Sequence, residues 1–172
     1  MGPDYWCGYS YSWFANMCAR AFDGNEAGEA LRIFAECFCL PNTFHANGDQ
    51  SRSGKSTFTY RPFTLEGNFA FAAAVQEMLL QSHTGTVIIF PAIPDTWNDV
   101  SFEHLRAMVG FLISAKLSNG KIQEAEIKAE QSGVCKIMLT DKWEWHKMKV
   151  KGANKTIECK DNVITVSLEK GE

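Results

Sequence analysis

The chain has 172 residues, of which 45% are hydrophobic and 22% are charged, and its formal net charge is −3. This composition is typical of a globular protein and excludes a disordered one. The slight acidity argues against a broad basic surface, so neither nucleic acid nor an anionic membrane is expected as a partner. The sequence contains no run of 18 apolar residues, which excludes a transmembrane helix.

The first part of the chain has the apolar periodicity of two helices. Tyr9–Phe22 is apolar on nearly every side, which predicts a helix buried among other helices. Asp23-Gly24 is predicted to end it. Asn25 is predicted to cap a second helix, Glu26–Cys39, which has one apolar stripe and one charged face. An inner helix followed by an outer helix is the unit of an α/α barrel.

A long polar loop, Leu40–Thr59, follows the second helix, and ordered loops of this length are commonly functional. Its segment Ser53–Thr57 resembles half of a phosphate-binding loop. The match fails because the spacing from Gly48 is one residue too long and no strand precedes it. The turn that contains Asn47 and Asp49 has side chains suited either to presenting hydrogen bonds to a sugar or simply to forming a turn. Both readings remain open from the sequence.

The stretch Tyr60–Phe69 places one carboxylate, Glu66, before a third apolar helix, which is predicted to span Asn68–His83. Pro62 favours extended backbone ahead of it, and Asn68 is a suitable N-cap. Glu66 is therefore predicted to lie just outside the helix N-terminus, where the helix dipole and free N–H groups favour an ionised carboxylate. An ionised carboxylate held next to aromatic side chains can act as a general base, or it can simply stabilise the helix start.

Beyond Gly85 the pattern changes from helical to that of short strands. The segments before and after the Asn119-Gly120 turn predict a tight hairpin. The sequence thus predicts an α+β fold, with helices in residues 1–85 and an antiparallel β-sandwich in residues 86–172. The predicted strands are Thr86–Phe90, Leu112–Leu117, Ile122–Ala129, Val134–Leu139, Met148–Val150, Lys155–Cys159 and Val163–Leu168.

Six cysteines and four histidines are scattered along the chain without the paired spacing of zinc ligands. No metal site is therefore predicted, and the thiols are expected to be free. No organic cofactor is implied either. Glu77, which lies inside the third predicted helix, is interpreted as a structural ion-pair partner in preference to a catalytic group.

Three motifs in chain order resemble glycoside hydrolase family 95, the α-L-fucosidase family. That family commonly has aspartate at the position of Glu66. The resemblance covers about residues 8–133. The motifs are Glu66-Gly-Asn-Phe69, Gln76-Glu-Met-Leu-Leu-Gln-Ser-His83 and Phe90-Pro-Ala-Ile-Pro-Asp-Thr-Trp97.

The resemblance implies the last helices of an α/α six-hairpin barrel followed by a C-terminal β-domain. It also implies inverting hydrolysis that releases terminal α-L-fucose, or a relative such as α-L-galactose, with Glu66 as the general base. Trp6, Tyr60 and Arg61 are candidate substrate contacts. Trp6 and Tyr60 stand where the family commonly has histidine, which leaves the exact sugar open.

The resemblance further implies that the general acid and the asparagines that hold the attacking water lie upstream, in a part of the protein that this chain lacks. The expected partners are that upstream part and a fucosylated oligosaccharide or glycan, and the expected location is periplasmic or extracellular in a bacterium. The alternative is a non-catalytic carbohydrate-binding or structural module with no activity on its own. One carboxylate cannot serve as both acid and base in one inverting step.

Overall fold

A computed structural model describes residues 3–143 and 157–172 and divides the chain into two compact units. The first unit reaches Met78 and also includes Ala92–Pro94. The second consists of Leu79–Pro91 and Asp95–Glu172. Helices lie in the first unit and strands in the second, so the prediction of an α+β fold is confirmed at this level.

The first unit begins with a short 3₁₀ turn, Pro3–Tyr5, followed by helices α1, Gly8–Arg20, and α2, Gly24–Cys37. The predicted Asn25 cap is wrong. The Asp23 carboxylate accepts a hydrogen bond of 3.0 Å from the backbone N–H of Glu26, so Asp23 is the N-cap. The helix therefore starts two residues earlier than predicted.

One hydrophobic cluster of the first unit is made largely of small side chains, which allow the helix backbones to approach closely. Ala15 and Ala19 of α1, Ala27 and Ala30 of α2, and Ala74 of a third helix are buried together in it. Burial of the first helix among other helices concerns the complete barrel and stays a prediction, because one face of this helix is uncovered in the present chain. Its residues Tyr9, Trp13 and Met17, spaced four apart on one face, are exposed, Trp13 by 56%.

The third helix, α3, spans Leu65–Leu79, which is earlier at both ends than the predicted Asn68–His83. After α3 the chain turns directly into strand β1, Leu80–Gln81, which pairs antiparallel with strand β2, Val87–Ile89. The predicted last turn of the helix is wrong because Leu80 and Gln81 make ladder contacts instead. This helix also has an uncovered apolar side chain, since Phe69 on its surface is 64% exposed.

Residues Ala92–Pro94 return to the first unit and lie on α2. A β-carbon on Gly24 would come within 2.5 Å of the Ile93 carbonyl carbon, and one on Gly28 within 2.7 Å of Pro94 Cγ. The two glycines are thus required by the close approach of this segment to the helix.

The second unit contains two sheets. The predicted hairpin is confirmed, and its turn residues Asn119 and Gly120 have φ angles of 50° and 69°, as a tight turn with left-handed backbone requires. One sheet has the order β3-β4-β5 and the other β1-β2-β6-β8-β7. The remaining strands are β3 Asp99–Ala107, β4 Phe111–Ser118, β5 Lys121–Ala129, β6 Gly133–Met138, β7 Glu158–Lys160 and β8 Val163–Leu168.

The expectation of purely antiparallel pairing is wrong at one position, because β2 pairs parallel with β6. The β8 strand has the predicted bounds. The predicted strand Met148–Val150 lies outside the described residues, as does the start of Lys155–Cys159. Among the described residues, no helix has the length and apolar character needed to cross a membrane.

Candidate active site

Glu66 lies in the first turn of α3, and its side chain is exposed to solvent. Glu66 therefore lies inside the helix, whereas the sequence had predicted a position just outside the helix N-terminus. The first-turn position still places the carboxylate beside the positive end of the helix dipole and its free N–H groups. The group is accessible to a water molecule or a substrate.

One buried histidine, His45, contacts a residue on each side of Glu66. Its Nδ1 lies 2.8 Å from the carbonyl oxygen of Thr64, and its backbone N–H donates to the side-chain oxygen of Asn68 over 2.9 Å. The Asn68 amide in turn donates to the carbonyl of Thr43 over 2.9 Å. These bonds fix the residue two before Glu66 and the residue two after it.

His45 Nδ1 carries a proton, since the carbonyl of Thr64 can only accept. Burial lowers the pKa of His45, while the hydrogen bond to Thr64 and the charge of Glu66 act in the opposite direction. The ring is fully buried and stacks on Phe34 at a centroid distance of 5.1 Å. Its Nε2 has no hydrogen-bond partner among the described residues.

The same histidine explains why residue 67, next to Glu66, is a glycine. A β-carbon at Gly67 would come within 2.5 Å of His45 Nδ1 and 2.6 Å of its Cγ. Only glycine leaves room for the imidazole beneath the first turn of α3. The glycine of the Glu-Gly-Asn-Phe motif thus has a packing reason here.

The predicted contacts Tyr60 and Arg61 lie on an extended segment that pairs with the loop containing His45. The backbone N–H of Gly48 donates to the carbonyl of Tyr60 over 2.9 Å, and that of Asp49 donates to the carbonyl of Phe58 over 2.7 Å. Tyr60 is exposed and packs edge-on against Phe58. This pairing fixes the backbone from which Tyr60 and Arg61 project.

Asp49 organises the loop instead of presenting its carboxylate to solvent. The carboxylate, 3% exposed, accepts hydrogen bonds from the backbone and hydroxyl of Ser51, the hydroxyl of Ser53 and the backbone of Gly54, at 2.6–3.1 Å. Burial by itself would raise the pKa of Asp49, but these four hydrogen bonds outweigh it and lower that pKa below its ordinary value. Of the two readings left open for Asp49, the structure favours the turn, and Ser53 and Gly54 belong to it.

A pocket of about 1120 Å³ opens between the end of α2, this loop and α3. Arg61, Asn68 and Phe71 line it, whereas Glu66 does not. Two helical residues separated by one position point about 200° apart, so Glu66 and Asn68 face different sides of α3.

Trp6, like Glu66, does not line this pocket. It is half-buried, and its ring contacts Tyr11 and Phe14 at centroid distances of 5.2 and 5.1 Å. The four residues predicted for the site, all of which are described, are therefore not brought into one pocket lining.

Glu77 is an ion-pair partner, as the sequence indicated. Its carboxylate accepts hydrogen bonds from Arg20 at 2.5 and 2.7 Å, which joins α3 to α1. Within residues 3–143 and 157–172, no three His, Cys, Asp or Glu side chains cluster in a way that could hold a metal ion.

Comparison with known protein families assigns both parts of the chain. Residues 4–79 match the model described as the glycosyl hydrolase family 95 catalytic domain, and residues 81–172 match the glycoside hydrolase family 95 C-terminal domain. The chain belongs to glycoside hydrolase family 95. Glu66, Trp6, Tyr60 and Arg61 all fall within the family 95 catalytic-domain match.

A curated relative in the same family is Alpha-L-fucosidase 2 from Arabidopsis thaliana. It is 33% identical over 126 residues, which is 72% of this chain but 15% of the relative. The chain therefore spans about one seventh of the length of that family 95 protein.

Sequence reasoning missed His45 as a determinant of the family 95 motif. The sequence shows it only as one of four scattered histidines in a polar turn. Its partners Thr64 and Asn68 are 19 and 23 residues away. No local pattern connects them, so the signal exists only in the folded chain.

Proposed function

We propose that this chain supplies the general base of an inverting glycoside hydrolase that releases terminal α-L-fucose, or a close relative such as α-L-galactose, from glycans. The observation that carries the proposal is the exposed carboxylate of Glu66 in the first turn of α3, on a backbone held by His45. The name of the Arabidopsis relative supports the choice of sugar.

In the proposed reaction, Glu66 removes a proton from a water molecule as the water attacks the anomeric carbon. A general acid on the opposite side protonates the departing glycosidic oxygen, so the bond to the sugar breaks as the bond to the water oxygen forms. In inverting enzymes these two carboxyl groups are roughly 6.5–9.5 Å apart. We propose that the acid lies on an upstream part of the same protein.

The apolar surface of the helices supports such an upstream part. Trp13 and Met17 on α1 and Phe69 on α3 are 56%, 49% and 64% exposed. Apolar side chains grouped on helix faces are typical of surfaces that another polypeptide covers. We propose that further helices of the catalytic domain cover them, which would complete the barrel.

The test is the Glu66→Gln variant in the chain joined to its upstream catalytic sequence. Glutamine keeps the shape and removes the base, so kcat on an aryl α-L-fucoside should fall by at least about 10²-fold, the lower end for general-base catalysis. KM should change little, because the lost interaction belongs to the transition state.

Glu77→Gln is the matched control, since it removes a carboxylate from the same helix where that carboxylate pairs with Arg20. It should keep kcat within a few-fold, because such an exposed pair contributes only about 0–1 kcal/mol to stability. Equal rates for Glu66→Gln and the wild type would leave Glu66 a helix-start carboxylate.

The rival is a non-catalytic sugar-binding or structural module. The two proposals differ in one measurement: the rival predicts no hydrolysis even with the upstream sequence present. For the 172-residue chain alone, both predict none. We also propose that the protein is located in the periplasm or outside the cell of a bacterium.

A further inference from the structure

The arginines of this chain divide into two groups. Arg20, Arg32 and Arg106 each form ion pairs with glutamates. The other two, Arg52 and Arg61, form no ion pair among the described residues, and both line the pocket between α2 and α3. The unpaired guanidinium groups are thus concentrated at one cavity.

The backbone holds both arginines at this cavity. Arg52 has a φ of 57°, a left-handed conformation that is uncommon for a residue other than glycine. It lies within the turn that Asp49 organises through its bonds to Ser51, Ser53 and Gly54. Arg61 follows Tyr60 in the segment that pairs with Gly48. A turn fixed in this way lowers the entropy lost when Arg52 binds a ligand.

The two carboxylates in the lining, Glu36 and Asp49, form no ion pair with these arginines. Glu36 is paired with Arg32, and the Asp49 carboxylate is buried behind four hydrogen bonds. Arg32, which lies outside the lining, also pairs with Glu29. Arg52 and Arg61 are both exposed and form no ion pair among the described residues.

The rest of the lining suits a carbohydrate. Gln50 and Thr59 provide amide and hydroxyl groups, while Leu40 and Phe71 provide apolar surface. The volume of about 1120 Å³ exceeds the roughly 300–1,000 Å³ of clefts that hold one small ligand. This cavity has room for an oligosaccharide.

We propose that this pocket is an accessory site for an acidic oligosaccharide, in which Arg52 and Arg61 bind a sulfate or carboxylate substituent. Arginine suits both groups because its planar fork donates two parallel hydrogen bonds to either one. The identification of the ligand as a glycan rests on the proposed function. The site lies on a different side of α3 from Glu66, so the group it binds is not the sugar that is cleaved.

The test is direct binding to the 172-residue chain, measured by isothermal titration calorimetry with one fucosylated oligosaccharide in three forms. The first form is neutral, the second carries a sulfate, and the third carries a carboxylate sugar. We expect at least one acidic form to bind about tenfold or more tightly than the neutral form, as one charge-assisted hydrogen-bonding group provides. Whichever acidic form binds identifies the substituent.

The Arg52→Gln and Arg61→Gln variants should each lose about tenfold in affinity for that acidic form and little for the neutral one. Arg106→Gln is the control, because it removes the same charge from the second unit, where Arg106 pairs with Glu130. It should leave affinity unchanged. Retained thermal unfolding temperatures check that the variants are folded.

Equal binding of the neutral and acidic forms, no binding of any form, or equal losses in all three variants would each overturn the site. So would displacement of the acidic glycan by an equal concentration of inorganic sulfate, since a glycan site must recognise more than the anion. The outcome is independent of catalysis. Acidic binding lost in Arg61→Gln with unchanged rates in Glu66→Gln would keep this site and refute the proposed base.

Discussion

The contact between Gly67 and His45 gives the most quantitative prediction for the candidate site. Alanine is favoured over glycine in a helix by up to about 1 kcal/mol, so Gly67→Ala should stabilise α3 if propensity alone decides. The added β-carbon, however, would lie 2.5 Å from His45 Nδ1, 2.6 Å from Cγ and 2.9 Å from Cε1. Overpacking of a filled core costs about 1–3 kcal/mol.

His45 has little freedom to move away. Its ring is stacked on Phe34, and any shift lengthens the 2.8 Å bond from Nδ1 to Thr64. Losing that bond adds about 0.5–1.5 kcal/mol. We therefore expect Gly67→Ala to lower the free energy of unfolding by about 1–3 kcal/mol, measured by urea denaturation followed by circular dichroism at 222 nm.

A double-mutant cycle isolates the cause. All three of the closest atoms to the new β-carbon belong to His45, so His45→Ala removes the clash. In that background Gly67→Ala should be neutral or stabilising by up to about 1 kcal/mol, which corresponds to a coupling of about 1–4 kcal/mol between the two positions. Ala72→Gly, at an exposed position of α3, is the propensity control and should cost about 1 kcal/mol. The same destabilisation by Gly67→Ala with and without the imidazole would refute the packing argument.

Two further predictions concern titrating groups. Asp49→Asn should lower the free energy of unfolding by about 1.5–3 kcal/mol near neutral pH, because the amide cannot accept all four hydrogen bonds that the carboxylate receives. The pKa of Asp49 is lowered from 3.8, so its contribution to the free energy of unfolding is present above that pH and is lost as the pH falls below it. Denaturation curves should therefore show the difference in unfolding free energy between wild type and variant shrinking in acid. A difference that stays constant with pH would contradict this. Cys159 is exposed, whereas burial raises the pKa of Cys135 to about 11, so iodoacetamide at pH 8 should alkylate Cys159 first. Peptide mass spectrometry that found equal rates would contradict the burial of Cys135.

Those parts of the fold that depend on local chemistry could be predicted from the sequence. The hairpin around Asn119-Gly120 follows from the turn residues and the alternation beside them, and β8 follows from its β-branched residues. The start of α3 could not be predicted. Asn68 is chemically suited to cap a helix, but its amide is used by His45 and Thr43, and the helix begins before it.

The candidate site was predicted only in part. The Glu66 motif is visible in the sequence, whereas its support by His45 depends on contacts across 19 to 23 residues. The separation of Glu66 from Arg61 was also hidden. Arg61 lies in the extended segment before α3 and lines the pocket, whereas Glu66 lies inside the helix and does not.

The return of Ala92–Pro94 to the first unit limits how the chain can be divided. The two family matches meet near residue 80, which invites cutting the gene there to obtain the helical part alone. A polypeptide ended at that point would keep Gly24 and Gly28 but lose the backbone of Ile93 and the ring of Pro94 that lie against them. Its α2 would then carry two glycines, at about 1 kcal/mol each relative to alanine, with nothing packed on them. A helical part intended to stand alone should therefore extend through residue 94, or exchange both glycines for alanine.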